Sequence, residues 1–147
     1  LKQPKNKGEY YLTDAFQYMI DHGAKIQVID VEGWYDAGEQ GTLLETNRTI
    51  LEKGRAKRPA NVPAGVRIVD PVYIEENVTI RASTVGPNVS IGAGTTVDGS
   101  TLTDTIIGVG STITNATLSR SMIGDSAVVD GVHGQVNVSD HSVVKIA

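Results

Sequence analysis

Three isoleucine–glycine pairs recur at a fixed interval of sixteen residues in the second half of the chain: Ile91-Gly92, Ile107-Gly108 and Ile123-Gly124. Other positions keep the same interval. Val97 returns as Ile113 and Val129, Leu102 as Leu118, and Ile106 as Met122. Gly99, Asn115 and Gly131 share one column, and both residue types tolerate positive φ. A fixed period with small polar residues between aliphatics marks a chain that coils on itself, one turn per repeat.

The inward aliphatics run Ile68, Ile74, Ile80, Val85, Ile91, Val97, Leu102, Ile107, Ile113, Leu118, Ile123 and Val129, at spacings of six or five. A second small or aliphatic residue is expected four positions after most of them. This is the hexapeptide pattern of a parallel β-helix, in which three short strands and three corners close one triangular coil. Pentads shorten two sides of some coils, which accounts for a period of sixteen. Coils stack at about 4.8 Å, so equivalent residues lie over one another and four to five coils fit the length. Asp104 and Arg120, sixteen apart, are expected to meet as an exposed pair. Periodicity does not fix the hand, and right-handed crossovers are the general default.

The first part of the chain has another texture. Thr13 or Asp14 offers an N-cap oxygen, Phe16, Met19 and Ile20 follow at helical spacing, and Gly23 closes the run. A helix is expected over about 14–22. Ile26, Val28, Ile29 and Val31 suggest a strand buried on both faces. A loop over 33–41 carries Trp34, Tyr35 and Asp36. Thr42 is placed to cap a second helix over about 43–53, with Leu43, Leu44, Ile50 and Leu51 as its apolar face and Gly54 as its stop. The expected organisation is a helix–strand–loop–helix segment (1–54), a linker (55–65) and the β-helix (66–147). The basic run Lys53, Arg55, Lys57 and Arg58 at the linker reads as a solvated face before it reads as a phosphate patch.

Charge narrows the partners. Residues up to Ala60 hold nine acidic and nine basic side chains, whereas the rest holds eight acidic and four basic. An acidic solenoid is a poor surface for nucleic acid, whose phosphates call for clustered Lys and Arg. The chain has no cysteine, so thiol catalysis and cysteine-based metal sites are out. That composition fits a reducing, cytoplasmic setting. No apolar run approaches the ~20 residues of a membrane span.

Two stretches carry possible chemistry: Gly8-Glu9 with Thr13-Asp14, and Trp34-Tyr35-Asp36-Ala37-Gly38. An Asp on a loop after a strand suits Mg²⁺ or a sugar, and equally suits its own loop amides. In order and spacing, together with a β-helix and the closing segment Val138-Ser139-Asp140-His141-Ser142-Val143-Val144, they resemble the end of the catalytic domain of sugar-1-phosphate nucleotidyltransferases, of the long thymidylyltransferase type. The resemblance implies a mainly β fold, a left-handed parallel β-helix preceded by a small α/β remnant. It implies that Glu9, Thr13 and Trp34 serve the sugar phosphate and that Asp36 is one of two aspartates holding catalytic Mg²⁺. The implied reaction joins a nucleoside triphosphate and a hexose-1-phosphate, releasing pyrophosphate. Such a family carries its glycine-rich phosphate loop, first metal aspartate and sugar-phosphate lysine in a preceding half, so this chain alone is expected to be inactive. Gly92-Ala93-Gly94 and Gly108-Val109-Gly110 lie in repeat columns and read as corners.

Two alternatives remain. β-Helices of this kind also carry acyl transfer from acyl-coenzyme A, which needs a histidine base; His133 and His141 are the candidates, and both also suit the capping of an open end. His22 belongs at a helix end, where its partial positive charge suits the dipole. A purely structural module is the other alternative, and a homo-oligomer is expected.

Overall fold

The computed structural model describes residues 11–31, 33–35 and 37–146. The chain divides into two compact units, Leu1–Trp34 and Tyr35–Ala147. In the first unit, helix α1 spans Leu12–Asp21 and begins two residues earlier than the sequence suggests. Tyr11, in extended geometry, is its N-cap, so neither Thr13 nor Asp14 caps it. Gly23 at φ +85° ends it as expected. Residues 24–31 form no strand. A two-face-buried strand needs neighbours for its amides and side chains, and in this segment Val28 is 86% exposed.

The second unit opens with α2, Gln40–Ile50. It starts three residues before the expected helix. Glu39 is the N-cap and Thr42 sits at N3, where its Oγ1 accepts the Glu39 N–H at 3.2 Å. A wide terminal turn, Leu51–Arg55, follows and includes Gly54 at φ +88°.

Thirteen strands come next: β1 Arg67–Ile68, β2 Val72–Ile74, β3 Thr79–Arg81, β4 Thr84–Val85, β5 Val89–Ile91, β6 Thr96–Asp98, β7 Thr101–Ile107, β8 Thr112–Thr114, β9 Thr117–Ile123, β10 Val128–Asp130, β11 His133–Gly134, β12 Asn137–Val138 and β13 Val143–Lys145. All pair in parallel and build a β-solenoid of about five turns. One side stacks β1, β4, the first half of β7, the first half of β9, and β11. The second side stacks β2, β5, the later halves of β7 and β9, and β12. The third stacks β3, β6, β8, β10 and β13.

The inward stacks are those the spacing implies. Ile91, Ile107 and Ile123 share one column, and Val97, Ile113 and Val129 another. Every inward aliphatic from Ile74 to Val129 is buried, while Ile68 at the first coil is half-buried. The second inward position differs from the expected four-residue offset. On six-residue sides it does fall four on, as at Thr95 and Ser111. On five-residue sides it falls three on, placing Ser83, Ser100, Thr105, Ala116 and Ser121 inside while Thr101 and Thr117 face out. A shorter side turns its corner one residue sooner.

The buried hydroxyls tie neighbouring coils. Ser111 Oγ donates to the Gly124 carbonyl at 2.8 Å and accepts the Ala127 N–H at 3.2 Å. Ser100 Oγ likewise donates to Asp98 O and accepts from Ala116 N–H. Left-handed backbone fills each corner column. Gly99, Asn115 and Gly131 lie at φ +57°, +50° and +70°, as their residue types suggested. The Ile-Gly glycines have a different cause: a Cβ on Gly108 would fall 2.7 Å from Asp125 N and 2.8 Å from Gly124 C in the next coil. Several acidic side chains satisfy corner amides, with Asp125 accepting the Val109 N–H and Asp140 the Asp125 N–H, both at 2.8 Å.

The linker is partly structure. Lys57 pairs with Tyr73 in parallel, its N–H donating to Val72 O and its carbonyl accepting from Ile74 N–H, and so extends the second side past the first coil. Helix α2 shares the solenoid's compact unit and lies against its second side, with Leu44 and Leu51 buried.

Candidate functional site

Of the four residues that sequence assigns to a sugar-phosphate and metal site, Glu9 and Asp36 lie outside the described residues. Thr13 occupies the first turn of α1, with an exposed side chain, and Trp34 is 87% exposed. No hydrogen bond among the described residues joins these two. They share the first unit with an apolar surface made by Phe16, Met19 and Ile20 of α1 and by Val28, Ile29 and Val31, all exposed. His22 closes α1. Its Nδ1–H donates to Tyr18 O at 2.7 Å, and its ring stacks on Tyr18 at 3.9 Å between centroids. That is an end-of-helix role.

In the second unit, α2 is held to the solenoid by polar contacts along its length. Gln40 Nε2 donates to Arg120 O at 3.1 Å, and also to Asn137 Oδ1. Asn47 donates to Asn88 O at 3.3 Å and accepts from Ser90 Oγ. Arg48 Nη2 meets Asp104 Oδ1 at 2.8 Å, and Asn88 Nδ2 donates to the same oxygen at 2.9 Å. Burial would raise the Asp104 pKa, but the hydrogen bonds from Arg48 and Asn88 and the nearby Arg48 and Arg120 charges outweigh it and hold the carboxyl below its ordinary value. The expected Asp104–Arg120 pair is therefore replaced. Both residues occupy one left-handed corner column, at φ +46° and +50°, and Arg120 contributes only through its charge. Beyond α2, Lys53 Nζ donates to Tyr35 Oη at 2.5 Å.

Two concavities adjoin these elements. One of about 280 Å³ lies at the start of α2, between Gln40, Leu43, Met122 and Val138. The other, of about 460 Å³, lies under the linker at the first coil, floored by Ile74, Val78 and Ile80 and edged by Lys57, Arg58, Glu75 and Glu76. Arg58 is paired there with Asp70 at 3.1 Å, which disperses the basic run rather than gathering it on an anion site.

Among the described residues, no group of three or more acidic or histidine side chains stands close enough to hold a metal ion. The Mg²⁺ expectation rests on Asp36, which lies outside the described residues. His133 and His141 are exposed, and neither imidazole has a hydrogen-bond partner among the described residues. His141 stands in a corner column with Asn77, Gly94, Gly110 and Ser126, all at positive φ, so its backbone has a structural task. Among the described residues no helix is long and apolar enough to cross a membrane.

No protein-family model matches the chain. Individual relatives do. The chain is 37% identical over 99 residues to the glucose-1-phosphate thymidylyltransferase of Streptomyces griseus, a match covering 66% of this chain and 28% of the relative. It is 33% identical over 99 residues to the enzyme of the same name from Streptomyces antibioticus, covering 67% of this chain and 28% of that protein. The chain is homologous to sugar nucleotidyltransferases. It also matches the bifunctional protein GlmU of Acetivibrio thermocellus, 35% identical over 90 residues, covering 58% of this chain and 19% of GlmU. The chain spans less than a third of the length of the thymidylyltransferases it matches. A solenoid is consistent with the C-terminal β-helix that the sequence resemblance implied.

The contacts of Arg48, Asn47 and Lys53 were missed by sequence reasoning. None carries a local motif, and each reaches a partner through a fold that the helical pattern of α2 does not encode.

Proposed function

We propose that this chain is the C-terminal part of a cytoplasmic sugar-1-phosphate nucleotidyltransferase, which joins a nucleoside triphosphate to a hexose-1-phosphate and releases pyrophosphate. The observation that carries this reading is the similarity to two glucose-1-phosphate thymidylyltransferases in a chain that folds as a parallel solenoid. Glu9, Thr13 and Trp34 line the sugar-phosphate site, and Asp36 supplies one carboxylate to Mg²⁺. When bound, that ion neutralises charge on the reacting phosphates. The exposed apolar side chains of the first unit suit packing against the remainder of a catalytic domain. The solenoid serves assembly as a homo-oligomer, or regulation, and the chain alone does not turn over.

Pyrophosphate release should be measured with hexose-1-phosphates and each nucleoside triphosphate, comparing this chain with the longest product of its gene. Turnover by the longer product alone supports the reading. No turnover with any pair sinks it.

The similarity to a protein named bifunctional favours one second reading, acyl transfer on the solenoid with His133 as base. Acetyl transfer from acetyl-coenzyme A to an amino-sugar phosphate, lost in His133→Ala, would put that reading first.

A further inference from the structure

The cavity of about 460 Å³ at the first coil is built entirely within the second unit. Small-molecule sites run to roughly 300–1,000 Å³. Its floor is Ile74, Val78 and Ile80; Ile74 and Ile80 head two of the inward columns of the solenoid. Its roof is the linker over 59–63. That linker is held on one side by the Lys57–Tyr73 bridge and the Arg58–Asp70 pair, and on the other by a turn in which Val66 N–H donates to Pro63 O at 3.1 Å. Four charged side chains edge the opening, and two of them are already committed. Arg58 is paired with Asp70, and Glu75 accepts the Ala93 N–H of the next coil at 2.8 Å. Among the described residues, the Lys57 ammonium and the Glu76 carboxylate have no partner. One free cation and one free anion thus stand at the rim of an aliphatic pocket.

We propose that this cavity binds an apolar α-amino acid: the side chain lies on the floor of Ile74, Val78 and Ile80, the carboxylate meets Lys57 and the ammonium meets Glu76. Other ligand classes fit it less well. A phosphorylated ligand would bring two negative charges to one free cation, with Glu75 and Glu76 at the same opening. A free sugar would lay hydroxyls on an aliphatic floor that cannot hydrogen-bond them. A plain hydrocarbon would gain from the floor and nothing from the rim. Ion pairs at an open rim are individually weak. Apolar burial therefore supplies the affinity and the two charges supply the selectivity. The site stands apart from nucleotidyl transfer and uses no residue of the first unit.

The test is a titration of this chain with L-leucine and with L-phenylalanine, followed by amide NMR at Asn77, Val78 and the side chain of Asn61. Saturable shifts centred on these residues are expected. N-acetyl-leucine lacks the cation and leucine amide lacks the carboxylate, so each should bind about fivefold more weakly than leucine, the upper end for a solvent-exposed ion pair. Lys57→Met should erase the difference between leucine and leucine amide, and Glu76→Gln the difference between leucine and N-acetyl-leucine. Both side chains are exposed, so the melts of the two variants should overlay the parent's. The analogue comparison on the parent chain decides the matter even where a variant is destabilised. No saturable shift with either amino acid overturns the proposal. So does tighter binding of glucose-1-phosphate or inorganic phosphate than of leucine, equal binding of leucine and its two analogues, or discrimination that survives both substitutions.

Discussion

The two units use the same kinds of aliphatic residue to opposite effect. From Ile74 to Val129 the inward aliphatics of the solenoid are buried, whereas Phe16, Met19, Val28, Ile29 and Val31 of the first unit face outward. Composition does not separate them; the distance to a partner does. A solenoid side chain finds its neighbour one coil away in the same chain, so each turn completes the previous one. A helix followed by an extended segment makes one layer and needs a sheet to cover it.

The sharpest way to break this contrast is to place a charge in the solenoid stack. Ile107→Asp should cost several kcal/mol, on the order of a domain's whole margin, and a thermal circular-dichroism melt overlapping the parent would refute the stacking. Gly108→Ala comes next. Its new Cβ would press on the backbone of Asp125 and Gly124, which cannot swing aside. A loss of about 3 kcal/mol is expected, read as a lower urea midpoint at unchanged m-value. Ser111→Ala should cost about 2 kcal/mol by stranding a buried amide and a carbonyl. Faster hydrogen exchange at Ala127 N–H is its signature.

Arg48→Met tests the α2 clamp and should cost no more than about 1 kcal/mol, because the pair is partly exposed and screened. Its sign with pH is fixed. The Asp104 pKa is depressed on folding, so its stabilisation is present above the ordinary value of 3.8 and is lost as pH falls through the folded value. The melting-temperature gap between parent and variant should narrow on acidification; a gap that widens would place the stabilisation elsewhere. The smallest effect belongs to the first unit. Val28→Lys should shift this chain's stability by less than about 0.5 kcal/mol, and a large loss would mean that Val28 is covered in solution.

These experiments also mark what a sequence can display. The stacks of Ile91, Val97 and Leu102 were legible because a parallel coil converts sequence interval into spatial neighbourhood. The corner column of Gly99, Asn115 and Gly131 was legible because few residue types accept positive φ. Asp104 misled for the same reason. Its interval points to Arg120, but the left-handed corner leaves its carboxylate open to a helix that precedes the solenoid, and Arg48 takes it. The offset of Ser100 and Ser121 was missed because a five-residue side advances the inward position by one. For the site, Trp34 and Thr13 were singled out only as parts of a motif, and no interval relates either residue to the other. The contact of Lys53 with Tyr35 was invisible, since a lysine at the head of a basic run looks like solvated charge.

The coils are unequal in a way that bears on how the chain finds its fold. Seventeen residues separate Ile74 from Ile91, sixteen separate Ile91 from Ile107 and Ile107 from Ile123, and fifteen separate Ile123 from Val138. A stack of identical rungs could slip by one and lose only an end contact. Here the first rung is one residue longer and the last one residue shorter than the two equal rungs between them, so a slip at either end would bring loops of different girth face to face and put inward side chains out of phase at the corners. The unequal end rungs work like the odd teeth of a key: they mark where the stack begins and where it ends.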